Sequence, residues 1–383
     1  MALSSMPYLA FAAVICLSLS ASELLTVPHE LAHALAGLLL GLRVFKVSIG
    51  WFGTTLYRRR LLGCTFELKS LPVGGYTVVA PRTLHWARLR CWLVILAGPL
   101  INVLLLVVGF SGMVSPRCSA IERFLWMLLF GGNLAGLLDT LWPRRTVGGV
   151  ASDGLQLLSI PFASQATLED RHVAYFLLEA AACTERKDPT SAQAWLQRGL
   201  DVYPGNPGLL VLLASVLLRD GATVQARDVF ASVLNSPGLQ PSLRALLLNN
   251  VAWADLCLDD PALLEEADRY SREAMEWLPW ESYVKGTRAC VLIELGEAAQ
   301  GVTLLRTAGA QRSDLVGLAL NACYLAIGLA KLGDLPSAEE ALAEARRLDR
   351  GCILLDKATR RLQQKLTADT AAAPADDIAA HFP

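Results

Sequence analysis

The sequence has little charge and no excess of either sign. Lys and Arg number 34 against 35 Asp and Glu, and charged residues make up 18% of the 383-residue chain. Nucleic-acid binding needs a basic surface, so this balance argues against a nucleic-acid partner. Hydrophobic residues reach 54%, more than an ordinary soluble domain contains. We therefore expect part of the chain to contact a lipid bilayer.

Paired cysteines are also missing. The nine cysteines are an odd number, and no two of them are separated by only two residues. This pattern argues against a disulfide framework and against a cysteine-rich zinc module. Scattered thiols are typical of a reducing compartment, which we expect for the C-terminal part of the chain.

Long apolar runs lie only in the first part of the chain. We predict three membrane-spanning helices, at about residues 7–41, 91–112 and 122–142, because each run can cross a hydrocarbon core of about 30 Å. The first run lacks the basic start of a signal peptide and continues past any plausible cleavage site, so it is interpreted as a retained helix. It is longer than one crossing needs, and it forms either one helix kinked at Pro28 or two helices.

Residues 43–80 differ from the apolar runs on either side. They are rich in β-branched and aromatic residues with glycine breaks, which predicts three or four short strands. Nine Lys and Arg lie between the first two predicted spans, and only Arg117 and Arg123 lie between the second and third. The positive-inside rule therefore places residues 43–90 and everything after Pro143 in the cytoplasm. We expect an integral protein of a bacterial plasma membrane, since Ala, Leu and Arg are abundant.

Residues 161–366 alternate apolar and charged positions at helical spacing. Similar turns at Gly296 and Gly333 are separated by an interval that fits helix-turn-helix repeats of about 34 residues. We predict four to five helix pairs resembling tetratricopeptide repeats, with a concave surface for a cytoplasmic protein or peptide partner. Residues 367–383 are predicted to form a disordered tail.

The expected fold class is therefore mainly α. A polytopic membrane helical core with a small β-sheet insertion occupies residues 1–160. A cytoplasmic α-helical-repeat, tetratricopeptide-like solenoid follows it.

One motif inside the first apolar run carries the chemistry. His29, Glu30 and His33 form a His-Glu-x-x-His sequence. Positions four apart share one face of a helix, so both imidazoles can bind one metal ion, with Glu30 beside them to act on a water molecule. Titratable side chains are expensive in hydrocarbon, which favours a functional role over simple packing.

A catalytic zinc ion needs a third protein ligand. Asp153 is the favoured candidate, because it follows the third predicted span on the side of the membrane expected for His33. Asp139, about one turn from the end of that span, is the main competitor. Glu23 is the weakest candidate, because six residues before His29 is off the ligand face of a regular helix.

Four segments, taken in order, resemble the site-2 proteases, which are intramembrane zinc metalloproteases. The similar segments are HELAH at 29–33, LPVGGY at 71–76, AGPLIN at 97–102 and the stretch from Asp139 to Asp153-Gly154. They look like the first zinc motif, the strand that follows it, the second core helix, and the third core helix with its Asp-Gly zinc motif. Members commonly have Asn in place of Asp139, and their Asp-Gly follows the preceding proline more closely than Asp153 follows Pro143.

The resemblance implies a zinc-dependent intramembrane endopeptidase that hydrolyses peptide bonds of membrane-anchored protein substrates. It implies that His29, His33 and Asp153 hold Zn²⁺, that Glu30 is the catalytic base, and that Asn102 binds the carbonyl or the developing oxyanion. The strands of residues 43–80 would offer an open edge to an extended substrate.

Two other functions remain open from the sequence. The two departures from the family pattern favour a catalytically inactive, membrane-anchored helical-repeat scaffold. A metal transporter could use the same ligands, although a single ligand set and only three predicted spans argue against it.

Overall fold

The computed structural model describes residue 17 and residues 25–61, 63–71, 73–145, 149–310 and 314–372. It divides into two compact units, Met1–Leu178 and Glu179–Pro383. Most of the first predicted span lies outside the described residues, and so does the choice between one kinked helix and two. Its described part, residues 25–39, is one continuous helix that includes Pro28.

The first unit combines helices with one small sheet. Its helices are α1 (residues 25–39), α2 (Ala87–Met113), α3 (Ala120–Leu141) and α4 (Asp153–Ser159), followed by a short 3₁₀ turn at Ile160–Phe162. Its strands are β1 (Arg43–Ile49), β2 (Phe52–Leu61), β3 (Cys64–Leu71) and β4 (Gly75–Ala80). The sheet predicted for residues 43–80 is therefore present.

The sheet has the order β2-β3-β1-β4. Strand β1 is parallel to β3 and antiparallel to β4, so β4 lies at an edge. Alternate residues of a strand share a face, and Val79 of β4 reaches Gly37 of α1, where an added Cβ would lie 3.3 Å from Val79 Cγ1. Helix α1 therefore packs against the face of β4 that also carries Gly75 and Thr77.

Helices α2 and α3 are long and apolar enough to cross a membrane. Within the described ranges they are the two helices that meet this test, and they overlap the second and third predicted spans. Only 33% and 11% of their most apolar windows are buried, and several large apolar side chains on both helices are exposed. The polytopic core of three spans stays a prediction, because the first run is mostly outside the described residues.

The second unit is helical. The division between the units falls within α5 (Gln165–Glu185), and the helices after it are α6 (Pro189–Val202), α7 (Pro207–Arg219), α8 (Thr223–Leu234), α9 (Pro241–Leu258), α10 (Leu264–Trp277), α11 (Ser282–Glu294), α12 (Ala298–Ala310), α13 (Leu315–Lys331), α14 (Leu335–Leu348) and α15 (Leu355–Ala372).

Consecutive helices of the second unit pack in pairs, as α7 with α8, α9 with α10, α11 with α12 and α13 with α14. Gly296 and Gly333 end the first helices of the last two pairs with φ of 95° and 84°, a left-handed conformation that favours glycine. The helix-turn-helix pattern predicted from these turns is therefore present.

The predicted disordered tail begins too early. Helix α15 continues to Ala372, so residues 367–372 are helical rather than disordered. This segment, TADTAA, is half alanine, the residue with the strongest helix propensity, and it extends a helix that is already formed. The rest of the predicted tail, residues 373–383, lies outside the described residues.

A buried lysine joins α15 to the repeats before it. Lys357 Nζ forms ion pairs with Asp259 Oδ1 and Glu294 Oε1, both at 2.8 Å, and it donates to the Tyr324 hydroxyl and the Leu256 carbonyl at 3.1 and 3.2 Å. Burial raises the pKa of the Glu294 carboxyl, but the Lys357 ammonium outweighs it, and the net pKa lies below its usual value. The pKa of Asp259 is lowered against burial in the same way.

We predict that Lys357→Met lowers the free energy of unfolding by at most about 3 kcal/mol at neutral pH, because it removes the buried cation that both carboxylates share. Arg361 and Lys331 stay near Asp259 and Glu294 at 3.3 and 3.4 Å and limit the loss. Both carboxyl pKa values are depressed in the folded state, so the wild-type advantage is present above about pH 4 and is lost as the pH falls further. Thermal unfolding of both proteins at several pH values measures this. The control Arg347→Met removes an exposed pair with Glu344 and should leave the midpoint unchanged; equal midpoints for all three proteins would contradict the prediction.

Candidate metal centre

Helix α1 supplies the two histidines of the motif. His29 and His33 lie one turn apart and are 4% and 5% exposed. The Nδ1 atom of His33 donates to the Val94 carbonyl of α2 at 2.7 Å. Because a carbonyl only accepts, this bond places the ring proton on Nδ1 and leaves Nε2 with a lone pair for a metal.

Asp153 is held at the first turn of α4 by its two neighbours. The Ser152 hydroxyl caps α4 by accepting from the Leu155 amide, and it donates to the Trp142 carbonyl at 2.7 Å. An added Cβ at Gly154 would overlap the Leu141 carbonyl, so only glycine allows α4 to start this close to the end of α3. The carboxylate of Asp153 is thereby fixed relative to α3.

These elements bring three candidate ligand atoms together. Asp153 Oδ2 lies 2.9 Å from His29 Nε2 and 3.3 Å from His33 Nε2, and the two Nε2 atoms are 3.1 Å apart. Among the described residues, this is the cluster of His, Cys, Asp and Glu able to hold a metal ion. Tetrahedral zinc with bonds of about 2.1 Å separates its ligands by about 3.4 Å, and the three distances lie within about 0.5 Å of this value. The donor atoms and their separations therefore fit zinc.

Helix α2 leaves room for this cluster at Gly98. A Cβ built there would lie 2.6 Å from His29 Nε2 and still closer to His33 Nε2. The missing side chain therefore creates the space in which the imidazole nitrogens meet the carboxylate. Gly98 is part of the AGPLIN segment, so the packing gives a physical reason for a glycine in that motif.

Glu30 lies beside the ligands and is itself 6% exposed. The Thr77 hydroxyl of β4 donates to Glu30 Oε2 at 2.6 Å and also lies 3.1 Å from the Glu30 carbonyl. No protein group in the described part of the chain bonds to Oε1. One carboxylate oxygen is therefore held by the protein, and the other is left for a reactant.

Asn102 lies on α2 one helical turn beyond Gly98, on the same face. It is 4% exposed, and its Oδ1 atom has no hydrogen-bond partner within the described ranges. Its amide nitrogen faces α3, 3.7 Å from where a Cβ on Gly136 would lie. The structure therefore places Asn102 one turn from Gly98, the residue of α2 that contacts the histidines, but outside the cluster of ligand atoms.

The main competing third ligand, Asp139, is not at the cluster. Asp139 pairs with Arg144 at 2.5 Å and has a side chain that is 61% exposed. Its position at the end of α3 explains why a charged residue is tolerated there. Glu23 lies outside the described residues.

The two ends of the long interval between Pro143 and Asp153 are joined by hydrogen bonds. The Ser152 amide donates to the Arg144 carbonyl at 2.9 Å, and Arg145 pairs with Ala151 as an isolated antiparallel bridge. The ends of the loop therefore meet, and Asp153 starts almost where the chain leaves α3. The extra residues lengthen the loop without moving the carboxylate away from α1.

Two contributors to the site were missed by reasoning from the sequence. Thr77, which binds Glu30, directly follows the LPVGGY segment, and its position in a strand facing α1 could have indicated it. The Val94 carbonyl that fixes His33 gives no signal in the sequence, because any residue offers a backbone carbonyl.

The model of peptidase family M50 matches residues 15–336. This chain belongs to peptidase family M50. The resemblance to the site-2 proteases is thereby confirmed. A protein of Chlamydia pneumoniae named "Putative zinc metalloprotease" is 31% identical over 112 residues, which are 23% of this chain and 17% of that protein. A protein of the same name from Xylella fastidiosa is 35% identical over 109 residues, 25% of this chain and 24% of that protein. The M50 chain thus aligns with no more than a quarter of either relative.

Solved structures of TPR proteins are similar to about half of this chain. A thermophilic TPR protein of Thermus thermophilus is 19% identical, with a TM-score of 0.38, and covers 51% of this chain and 99% of its own. The TPR protein YrrB is 16% identical, with a TM-score of 0.31, and covers 49% of this chain and 90% of its own. The likeness concerns the fold alone.

Substitution of Gly98 by Ala should reduce zinc affinity by at least about tenfold, because its methyl group would push the two imidazoles apart. Zinc content of the purified, dialysed protein, measured by elemental analysis, tests this. The matched control is Gly136→Ala, a helical glycine whose added Cβ makes only ordinary contacts. Full zinc occupancy in Gly98→Ala after dialysis would show that the site does not depend on this space.

Proposed function

We propose that this M50 protein is a zinc-dependent endopeptidase that hydrolyses peptide bonds of membrane-anchored protein substrates. The proposal is carried by the cluster of His29 Nε2, His33 Nε2 and Asp153 Oδ2, which are close enough together to bind one zinc ion. The buried side chain of Glu30 lies beside this cluster. Family membership supports a metalloprotease, and the geometry supplies a site for its metal.

The reaction divides among the residues of this site. A zinc ion held by the three ligands would activate a water molecule and polarise the scissile carbonyl. Glu30 Oε1 takes a proton from the attacking water and later gives it to the departing amine. Burial of Glu30 and both histidines excludes other water from the reacting atoms.

Asn102 is proposed to bind the carbonyl oxygen of the scissile bond as negative charge develops on it. Its Nδ2 group is a neutral donor, and a preformed donor stabilises an oxyanion strongly in a site that excludes water. The side chain already lies on the face of α2 that carries Gly98, so a substrate entering beside the ligands would pass it.

The substrate is proposed to bind as an added strand on β4. A helical segment hides its peptide bonds in its own hydrogen bonds, so it must unwind before hydrolysis. In the described part of the chain β4 pairs with β1 on one side only, so its other edge can offer backbone donors and acceptors to an extended chain. Thr77 links this strand directly to Glu30, so the edge lies close to the catalytic base.

The site is proposed to lie at the inner face of a bacterial plasma membrane. The outward-facing apolar side chains of α2 and α3 suit contact with lipid tails. The basic residues of 43–90 favour a cytoplasmic position for the sheet and for the second unit. The helical repeats of that unit are proposed to bind a cytoplasmic protein or peptide that selects or regulates substrates.

An inactive scaffold is the second candidate, favoured by the Asp at position 139 and by the long interval before Asp153. Zinc content separates the two functions, because a scaffold has no need of a bound metal. Gently purified protein without stoichiometric zinc would favour the scaffold.

We predict that Glu30→Gln lowers kcat for a membrane-anchored substrate by about 10³-fold, because Gln cannot accept the proton. Zinc content should be unchanged, since Glu30 is not a ligand. Purified protein in liposomes with a tagged substrate, followed by gel electrophoresis, measures cleavage. Glu169→Gln, a partly exposed carboxylate on α5, is the matched control, and Asp153→Asn should lose zinc and activity together. Cleavage at the wild-type rate by Glu30→Gln would remove the mechanism.

Deletion of residues 186–383 tests the role of the repeats and keeps α5 whole. Cleavage of a short peptide should stay within about twofold of wild type, while cleavage of native membrane substrates should change by about tenfold through lost tethering. Comparison of membrane proteomes from cells with either form measures the second effect. Identical behaviour on native substrates would show that the repeats do not select them.

A further inference from the structure

The contacts between β4 and α1 point to one further functional residue. Strand β4 directs Gly75, Thr77 and Val79 to the same side, toward α1. Gly75 packs so closely on Glu30 that an added Cβ would lie 2.8 Å from Glu30 Cγ. The strand therefore contacts both the stem and the carboxylate of Glu30.

Thr77 makes the polar part of this contact. Its single hydroxyl hydrogen is directed mainly to Glu30 Oε2, the nearer acceptor at 2.6 Å, rather than to the main-chain oxygen at 3.1 Å. A hydrogen bond to a charged acceptor in a buried place is strong and sets its direction. Valine would fill the same space in a strand at least as well, so the hydroxyl is what threonine adds.

We propose that Thr77 is the positioning residue of Glu30, which holds Oε2 so that Oε1 faces the substrate. This inference rests on the proposed peptidase function. A flexible carboxylate would divide its time among rotamers, and only one of them presents Oε1 to the reacting atoms. Because Thr77 lies on the strand proposed to pair with substrate, substrate binding and placement of the base depend on the same element.

The test compares Thr77→Val, Thr77→Ser and the matched control Thr65→Val in purified full-length protein with bound zinc. Thr65 lies on β3 and is partly buried like Thr77, and no hydrogen bond of its hydroxyl connects it with the site. We expect Thr77→Val to lower kcat by about tenfold with an unchanged KM and full zinc occupancy. Thr77→Ser, which keeps the hydroxyl, should restore most of the rate.

A second readout does not need activity. Thermal unfolding of Thr77→Val is compared with that of wild type, and the same substitution is made in a Glu30→Ala background. If Thr77 holds the carboxylate, the drop in midpoint is larger when Glu30 is present. Equal decreases in the midpoint in both backgrounds would show that the Thr77 hydroxyl does not hold the Glu30 carboxylate.

The outcomes separate this inference from the proposed function. If wild type cleaves substrate and Glu30→Gln does not, but Thr77→Val has the wild-type kcat, positioning by Thr77 is wrong and the peptidase stands. If Thr77→Val loses zinc, or if Thr65→Val loses as much rate, the role of Thr77 is structural and the proposal fails. If wild type cleaves nothing, the peptidase function fails, and the unfolding comparison still decides whether Thr77 holds Glu30.

Discussion

The first unit depends on keeping one carboxylate beside two imidazoles across 124 positions of sequence. Asp153 Oδ2 and His29 Nε2 are 2.9 Å apart, and His33 Nε2 is nearly as close. Three nitrogen and oxygen atoms this close in a buried site need a shared cation among them, either a metal ion or a proton. The surrounding contacts hold these atoms together: a glycine on α2 gives space, a backbone carbonyl orients one ring, and a serine ties α4 to α3.

This arrangement bears on the departures from the family pattern. The extra residues after Pro143 do not displace Asp153, because the loop closes on itself before α4 begins. The charge of Asp139 is neutralised by Arg144 at an exposed helix end, away from the ligands. Neither departure therefore moves Asp153 or Glu30 away from the histidines, and the physical argument for an inactive scaffold is weakened.

The sequence predicts the parts of the site that depend on local spacing. The interval from His29 to His33 implies a shared helix face, and the succession of apolar runs favours Asp153 over Asp139 as the residue that joins them, which is the residue that the structure brings to the two histidines. The sheet and the repeat turns follow from composition and from glycine positions. Contacts between distant backbones, such as Val94 with His33, depend on packing that no local pattern encodes. The start of the tail was misjudged because polar, alanine-rich sequence suits both a helix extension and a disordered end.

In the proposed mechanism, strand β4 would determine which substrate residue lies opposite the site. A peptide paired with its free edge would be placed by backbone hydrogen bonds, and side chains alternate along it with a period of two. A shift of one residue would turn every substrate side chain to the opposite face. Cleavage would therefore occur only when the substrate pairs with β4 in one of these two registers. Selectivity would then come from which segments can unwind and pair, rather than from a deep pocket for one side chain. Such a mechanism would suit substrates that are helices in a membrane, because few of their segments adopt an extended conformation.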